Sequence, residues 1–246
     1  MIIAVIPAAG MGTRLAVGIP KLFVELSSDF YVIDLLESTI SDLADECCFV
    51  IRPDMIREFQ SLSKSEKSTF VIQSTPSGMG NAIFCASSKI IEHEYVLVIW
   101  GDQVGISKET LRRVIESHRN LGAYCTVPLA KIDYPYVHYI LDNSVGLKGI
   151  LHRREGDSMP SQGLSDIGVF MLNTENLVSY WEDYLETSGK LGSVTNEVNF
   201  LPFLVYLAGI GANMNFISVE DAGEALGMNS PDELRKIRQL MSKEGE

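Results

Sequence analysis

Positive charge is scarce in this chain of 246 residues. Lysine and arginine together number 20, against 32 aspartates and glutamates, which gives a formal net charge of −12. Nucleic acids and anionic membrane surfaces are bound through clustered positive charge, so this balance argues against both as partners. If the substrate is an anion, the few basic residues must be concentrated around it.

Several other features are missing. No apolar run approaches the ~20 residues of a membrane-spanning helix, and the opening MIIAVIPAAG lacks the basic residues of a signal peptide. The four cysteines form no CxxC pair and lie in apolar stretches, which favours buried free thiols in a reducing cytoplasm. The HExxH pair of zinc proteases and the GxSxG turn of serine hydrolases are absent. We therefore expect a cytoplasmic protein that uses neither chemistry.

Short apolar runs alternate with segments of helical periodicity through the first 130 residues. Predicted strands are residues 2–6, 47–51, 69–72, 95–100 and 123–129, and predicted helices are residues 32–43, 55–62, 81–91 and 108–119. Strands that alternate with helices of this length are typical of βαβ units. The pattern predicts an α/β protein with a mostly parallel sheet.

The pattern changes after residue 128. Residues 137–141, 147–152 and 167–172 predict closely spaced strands, which are typical of an antiparallel or mixed extension. Helices are predicted at 175–185, 200–208 and 231–241, with a strand at 214–219. No internal repeat is found, and no linker is long enough to separate domains. We predict a single domain over residues 1–246.

The loop after the first predicted strand, residues 7–21 (PAAGMGTRLAVGIPK), is the first candidate site. Gly10 and Gly12 allow positive φ and close approach of backbone N–H groups to phosphate oxygens, and Arg14 and Lys21 add local positive charge. The loop matches neither the dinucleotide fingerprint GxGxxG nor the Walker A pattern. A glycine-rich turn without function is the alternative.

Two further motifs follow strands. In VIQSTPSGMGNA, the Gln73 amide suits the edge of a pyrimidine and Gly78 allows a flat base to lie against backbone, although the segment also fits a helix-capping turn. In WGDQVGIS, Asp102 follows an apolar strand directly. A carboxylate there suits Mg²⁺, which takes few protein oxygens and completes its octahedron with phosphates and water. The alternative for Asp102 is a helix N-cap.

Taken in order, these motifs resemble the nucleotide-diphospho-sugar transferases, which include N-acetylglucosamine-1-phosphate uridylyltransferases and glucose-1-phosphate thymidylyltransferases. The likeness lies in AAGxGTRL followed by PK, in Gln-x-x-x-x-Gly and in Gly-Asp. It implies a Rossmann-like three-layer αβα sandwich with a mixed, mostly parallel sheet. The nucleotide-binding positions it implies are Ala8, Ala9, Gly10, Gly12, Thr13, Gln73 and Gly78, the last two as readers of uracil or thymine.

The resemblance also assigns the catalytic and metal-binding positions. Arg14, Lys21 and Asp102 are implied to be catalytic, with Arg14 and Lys21 on the triphosphate. Asp102 and Asn229 are implied to ligate Mg²⁺, the expected cofactor. For Asn229 the residues alone leave a second interpretation, since its side chain could cap the helix that begins beside Ser230.

Residues 130–200 are expected to contribute the acceptor-binding half. The acceptor-binding positions that the resemblance implies are Arg153, Arg154, Asp166, Glu197 and Asn199. Two adjacent arginines can bind a phosphate bidentately, or can form a solvated charged face. The chain departs most from the family here, because His152 stands at the family's glutamate, Val137 at an expected glycine and Asp166 at the sugar-binding asparagine.

The reaction implied is transfer of NMP from a nucleoside triphosphate, UTP or dTTP favoured, to a sugar 1-phosphate with release of pyrophosphate. The expected partners are therefore a nucleoside triphosphate and a small phosphorylated acceptor, with no nucleic acid and no membrane. Two alternatives stay open. One is a cytidylyltransferase acting on a non-sugar phosphate or phosphonate, and the other is a nucleotide-sensing module of the same fold that does not turn over. The sequence does not specify an oligomeric state.

Overall fold

A mixed sheet of eight strands runs through the middle of the molecule. The computed structural model describes residues 1–10, 12, 15, 18–142, 146–187 and 191–244. The strands are β1 (Ile2–Pro7), β2 (Glu25–Ser27), β3 (Phe30–Tyr31), β4 (Glu46–Ile51), β5 (Ser68–Ile72), β6 (Tyr95–Ile99), β7 (Cys125–Asp133), β8 (Val137–Leu141), β9 (Leu147–His152), β10 (Gln162–Asp166), β11 (Val169–Asn173) and β12 (Met214–Val219). Two short ribbons, β2–β3 and β8–β9, lie outside the sheet.

Helices follow several of the strands. They are α1 (Val32–Ile40), α2 (Ile56–Leu62), α3 (Met79–Phe84), α4 (Ser87–Ile90), α5 (Lys108–Leu121), α6 (Leu177–Thr187), α7 (Leu201–Gly209) and α8 (Pro231–Glu244). In the described part of the chain, none of the helices is both long enough and apolar enough to cross a membrane.

The strand order confirms the prediction of a mixed, mostly parallel sheet. Strands β6, β1, β4 and β5 lie side by side and parallel. Strand β11 joins β6 antiparallel, and β7 pairs antiparallel with both β10 and β11. Strand β12 pairs with β7 in parallel. Strand β1 is buried at every position. A parallel strand that is covered on both faces needs apolar side chains at consecutive positions, which explains the continuous apolar sequence of β1.

The core has two halves, one on each face of the sheet. Ile2, Ala4 and Ile6 of β1 pack with α1, α5 and α8, whereas Ile3 and Val5 pack with α3, α6 and α7. Successive strand side chains point to opposite faces, so a single strand contributes to both halves. This arrangement confirms the three-layer αβα architecture.

Several local features differ from the prediction. The helix predicted at 81–91 is two helices, α3 and α4, and its first turn begins earlier, at Met79. The ribbon β2–β3 was not predicted. Strand β10 was also missed, because its sequence QGLSD has little β-propensity and its extended form is stabilised by pairing with β7. Gly168, with φ +75°, separates β10 from β11, so the strand predicted at 167–172 begins only at Val169.

One buried histidine lies in the sheet–helix interface. His118 of α5 is 1% exposed, and its Nδ1 lies 2.9 Å from Thr126 Oγ1. Its ring meets Tyr95 edge to face. Burial, with a smaller contribution from Arg119, lowers the pKa of His118 to about 4. The imidazole is therefore neutral in the folded protein at pH values where it would be charged in the unfolded chain.

We expect the free energy of unfolding to fall as the pH is lowered from about 6.5 to 4, because His118 takes up a proton only in the unfolded chain. A pKa of about 4 against the ordinary 6.5 corresponds to a loss on the order of 3 kcal/mol from this residue. Urea unfolding of His118→Gln and wild-type protein across this range measures the effect. The variant should show a shallower pH dependence, and identical slopes would contradict the assignment.

Candidate active site

A cavity of about 920 Å³ opens where the parallel strands end. In open parallel sheets, ligands bind beyond the carboxyl ends of the strands, because the connecting loops there form a crevice. The cavity is lined by residues directly after β1, β5 and β6, by the segment before α8, and by residues near the β8–β9 ribbon. The predicted site residues among them are Ala8, Ala9, Gly10, Gly12, Lys21, Gln73, Gly78, Asp102, Arg154, Asp166, Glu197, Asn199 and Asn229.

Three predicted residues are not in this set. Thr13 and Arg14 lie outside the described residues. Arg153 is exposed and does not line the cavity, since its Nη2 donates to the Tyr134 carbonyl oxygen at 3.0 Å. Arg153 and Arg154 belong to a 3-10 turn, in which successive side chains diverge by about 120°. In this structure the two side chains therefore point apart, which is closer to the second of the two interpretations, a solvated charged face, than to a joint phosphate site.

The glycine-rich loop is held at its start by a residue that the sequence analysis missed. Arg52, just after β4, donates from Nη1 to the carbonyl oxygens of Ala9 at 2.9 Å and Gly10 at 3.1 Å. Its Nε and Nη2 pair with Asp54, each at 3.0 Å. Because Arg52 ties down carbonyl groups of the loop, it fixes the backbone without occupying the cavity. The available signal was a basic residue directly after a predicted strand.

Gly10 and Gly12 of this loop behave differently. Gly12 has φ +59°, and a Cβ there would lie 3.2 Å from Cγ of Lys21. Gly12 therefore allows both the turn and the passage of the lysine stem. Gly10 does not have a positive φ, contrary to the sequence-based expectation, and has open space beside its Cα. Gly10 lies in the wall of the cavity.

Lys21 joins the two predicted metal-binding residues. Its Nζ donates to Asp102 Oδ2 at 2.7 Å and to Asn229 Oδ1 at 2.9 Å. The side chains of Lys21 and Asp102 are 16% and 26% exposed, so the contact is sheltered but reachable from the cavity. A carboxylate oxygen and an amide oxygen therefore both contact the Lys21 ammonium group.

Backbone contacts bring Asp102 and Asn229 together. Gly101 packs on the end of β1, where a Cβ would lie 2.8 Å from the Pro7 carbonyl oxygen. Gln103 forms an isolated antiparallel bridge with Gly227. The adjoining Met228 N–H donates to the Asp102 carbonyl oxygen at 2.8 Å. These contacts fix Asp102 and Asn229 side by side.

The start of α8 leaves the Asn229 side chain available. Ser230 Oγ accepts from Glu233 N at 3.3 Å, and Glu233 Oε2 accepts from Asn229 N at 3.0 Å. This is a reciprocal capping arrangement made by Ser230 and Glu233. The Asn229 amide oxygen faces Lys21 instead of capping the helix.

The chemistry of this pair fits a magnesium ion. Mg²⁺ is commonly held by one or two protein oxygens, with phosphates and water in the remaining positions. Asp102 and Asn229 supply two such oxygens, and both already converge on the Lys21 ammonium. Within the described ranges, no group of three or more His, Cys, Asp or Glu side chains is placed to hold a metal.

The predicted base-reading residues form a compact turn, the base loop (residues 73–80). Gln73 is 3% exposed, and its Nε2 donates to Asn81 Oδ1 at 2.7 Å and to the Gly78 carbonyl oxygen at 3.4 Å. These contacts direct the amide nitrogen into the protein, so the remaining polar atom is the acceptor Oε1. Gly78, with φ +117°, is also the N-cap of α3, so the helix-capping interpretation holds for it as well.

Three of the acceptor-side polar groups have partners within the protein. Arg154 donates to both carboxylate oxygens of Glu197, at 3.0 and 2.7 Å, in a bidentate pair. Asn199 donates from Nδ2 to Glu155 Oε1 at 3.0 Å. Although partial burial raises the pKa of Glu155, hydrogen bonds from Thr195, Val194 and Asn199 hold it at about 2. Sequence reasoning missed Glu155 altogether.

Asp166 and His152 both line this half of the cavity. Asp166 Oδ1 accepts from Gly168 N at 2.9 Å, whereas Oδ2 is buried without a hydrogen-bond partner among the described residues. Burial raises the pKa of Asp166 to about 6, and burial together with the Asp166 carboxyl raises the pKa of Tyr139. Burial also lowers the pKa of His152. The aromatic side chains of Trp100, Tyr136 and Phe200 complete this wall.

Comparison with known sequences gives one family match. The model of the MobA-like NTP transferase domain matches residues 4–163. The chain is 30% identical over 247 residues to the bifunctional protein GlmU of Paramagnetospirillum magneticum, covering 96% of this chain and 52% of that protein. For GlmU of a Synechococcus species the identity is 24% over 245 residues, with 98% and 52% covered. The chain thus spans about half the length of the curated relatives it matches.

Two solved structures share the fold. A Bacillus anthracis protein assigned as a glucose-1-phosphate thymidylyltransferase superposes with a TM-score of 0.73 at 14% identity, covering 98% of this chain and 95% of that chain. The 4-diphosphocytidyl-2C-methyl-D-erythritol synthase of Anaerococcus prevotii gives a TM-score of 0.67 at 16% identity, with 98% of each chain covered. At these identities the likeness shows the fold alone.

Proposed function

We propose that this chain, which belongs to the MobA-like NTP transferase family, transfers NMP from UTP or dTTP to a sugar 1-phosphate and releases pyrophosphate. The observation that carries the proposal is the convergence of Lys21, Asp102 and Asn229 beside the glycine-rich loop at the ends of the parallel strands. A basic side chain and two oxygen ligands at one point suit a triphosphate that arrives with its metal ion.

The donor half supports this assignment through its positions and polarity. The backbone of residues 8–10 and 12 lines one wall of the cavity, and the base loop lines another. Gln73 presents an acceptor oxygen, which matches the N3–H donor of uracil or thymine. We propose that Gln73 and Gly78 contact the base, and that Lys21 and Arg14 contact the triphosphate.

Asp102 and Asn229 would hold the magnesium ion. A bound divalent ion neutralises charge on the phosphate oxygens that it contacts. Lys21 then exchanges its contacts with Asp102 and Asn229 for contacts with the triphosphate. The acceptor phosphate is anionic near neutral pH, so the protein has only to orient it and screen its charge. We assign no general base.

The acceptor half, residues 130–200, favours a second candidate as well. A sugar offers several hydroxyl groups, yet Asn199, Glu197 and Arg154 are already engaged with other side chains. Trp100, Tyr136 and Phe200 make part of the remaining wall aromatic. This arrangement favours a smaller, non-sugar phosphate or phosphonate as the acceptor, with CTP as the donor. The related fold of the diphosphocytidyl-methylerythritol synthase is consistent with it.

Pyrophosphate release distinguishes these functions. We would measure it with UTP, dTTP, CTP and ATP, each with a panel of sugar 1-phosphates and non-sugar phosphates, in the presence of Mg²⁺. The first proposal predicts release with UTP or dTTP and a sugar 1-phosphate, and no release when the acceptor is omitted. Release only with CTP and a non-sugar acceptor would establish the second candidate instead. Binding of a nucleotide without release in any combination would indicate a nucleotide-sensing module.

A further inference from the structure

Glu155 is the centre of a hydrogen-bond cluster outside the cavity. Its carboxylate accepts from Thr195 Oγ1 at 2.6 Å, Val194 N at 3.0 Å, Asn199 Nδ2 at 3.0 Å and Thr195 N at 3.4 Å. Its carbonyl oxygen accepts from Ser193 Oγ at 2.8 Å. All of these donors belong to the 192–199 segment. Since hydrogen bonds to an ionised carboxylate are stronger than neutral ones, this cluster ties the whole segment to one residue.

The 192–199 segment packs closely against Glu155, so the position of Glu155 determines the position of the segment. A Cβ at Gly192 would lie 2.5 Å from Glu155 Oε1, so the backbone there rests directly on the carboxylate. The segment closes on itself through a hydrogen bond from Gly192 N to the Glu197 carbonyl oxygen at 2.8 Å. Its last residues, Glu197 and Asn199, line the cavity, whereas Glu155 does not.

The same segment holds the base loop through Val198. The Val198 N–H donates to the Ser77 carbonyl oxygen at 2.8 Å, and the Val198 carbonyl oxygen accepts from Gly80 N at 2.9 Å. These two bonds flank Gly78, where a Cβ would lie 2.5 Å from the Val198 carbonyl oxygen. The backbone of Val198 is therefore the surface against which Gly78 is set.

We propose that Glu155 is a positioning residue for base selection: through the 192–199 segment and Val198 it sets the position of Gly78 in the base loop, and hence which pyrimidine fits between Gly78 and Gln73. The proposal rests on the proposed function, in which Gln73 and Gly78 contact the base. Base discrimination depends on the fixed position of few polar atoms, so loosening the backbone that carries Gly78 weakens the base contacts. The glycine-rich loop, which would contact the phosphates, has a separate support in Arg52.

The test compares a nucleotide with a ligand that lacks the base. Calorimetric titration would give Kd values of wild-type protein and Glu155→Gln for UTP, dTTP, CTP and inorganic tripolyphosphate, each with Mg²⁺. The amide of Glu155→Gln keeps the size of the side chain but loses one acceptor oxygen. We expect the Kd of the preferred nucleotide to rise about tenfold, with less discrimination among the three bases. The Kd of tripolyphosphate should stay within about twofold.

Two further variants distinguish the proposed role of Glu155 from a general effect on folding. Thr195→Val removes one donor and leaves the carboxylate, so it should shift nucleotide binding in the same direction by a smaller factor. Glu37→Gln is the matched control, because Glu37 accepts from Ser63 Oγ and Lys64 N in a similar way but lies away from the cavity. It should leave both nucleotide and tripolyphosphate binding unchanged.

The outcomes separate the inference from the function on which it rests. If wild-type protein prefers one nucleotide and Glu155→Gln keeps that preference, Glu155 does not position the base loop. An equal loss of nucleotide and tripolyphosphate binding in Glu155→Gln would overturn the inference too, since it would mark a general structural role. If wild-type protein binds tripolyphosphate as tightly as every nucleotide, the base site at Gln73 and Gly78 is itself wrong.

Discussion

Replacing Asp102 with alanine is expected to lower kcat/KM for pyrophosphate release by about 10³-fold or more while leaving the fold intact. Among the described residues, Asp102 is the only carboxylate that contacts Lys21. Its Oδ2 is one of the two side-chain oxygens that accept hydrogen bonds from the Lys21 ammonium group. Its loss removes an oxygen ligand from the proposed magnesium site and leaves the Lys21 charge uncompensated. Losing one aligned electrostatic contact in an active site costs on the order of 10²–10³ in rate, and the loss of metal adds to this.

The matched control for this variant is Asp42→Ala. Asp42 also pairs with a lysine, Lys108, but this pair is exposed on the surface. It should leave kcat/KM unchanged, because exposed ion pairs contribute little. Circular dichroism and thermal unfolding would verify the fold of both variants. Wild-type activity in Asp102→Ala would contradict the proposed site.

Lys21→Met is expected to change two measurable quantities in opposite directions. In the nucleotide-free protein, Lys21 Nζ occupies the position between Asp102 and Asn229 where a metal ion would sit. Removing this ammonium eliminates a competitor, so the affinity for Mn²⁺ without nucleotide should increase about tenfold. The same change removes the positive charge of Lys21, which would contact the triphosphate, so kcat/KM should fall by about 10²-fold or more.

Electron paramagnetic resonance of free Mn²⁺ would give the metal affinity, and pyrophosphate release would give the rate. Lys108→Met serves as the control, since it removes a lysine whose partner is the exposed Asp42. A parallel loss of metal affinity and rate would show that Lys21 supports metal binding instead of competing with it. Adding Asn229→Ala to Lys21→Met should abolish the gain in Mn²⁺ affinity.

The fold and the donor half were largely predictable, because their signals are local. Each predicted donor residue follows a buried strand or belongs to a short motif, and parallel strands end at one edge of the sheet. The resemblance stated from those motifs is confirmed by the family match. The resemblance assigned Asn229 to the same site as Asp102, and in the structure its side chain also contacts Lys21, 208 positions away in sequence.

The acceptor half was less predictable because a polar residue does not reveal its partner in sequence. Arg154 and Asn199 were predicted to contact the acceptor, and the sequence did not indicate that one pairs with Glu197 and the other with Glu155. The divergence of Arg153 from Arg154 depends on a 3-10 turn that no local pattern indicated. These contacts exist only once the 192–199 segment folds over the turn after β9, so they belong to tertiary structure.

A crystal structure of the protein with Mn²⁺ and UTP or dTTP, without acceptor, would show directly whether this cavity binds the nucleotide and its metal ion. We expect anomalous density for Mn²⁺ at Asp102 and Asn229, the triphosphate along the glycine-rich loop with Lys21 turned onto it, and the base between Gln73 and Gly78. A nucleotide bound elsewhere, or Mn²⁺ held without Asp102, would contradict it.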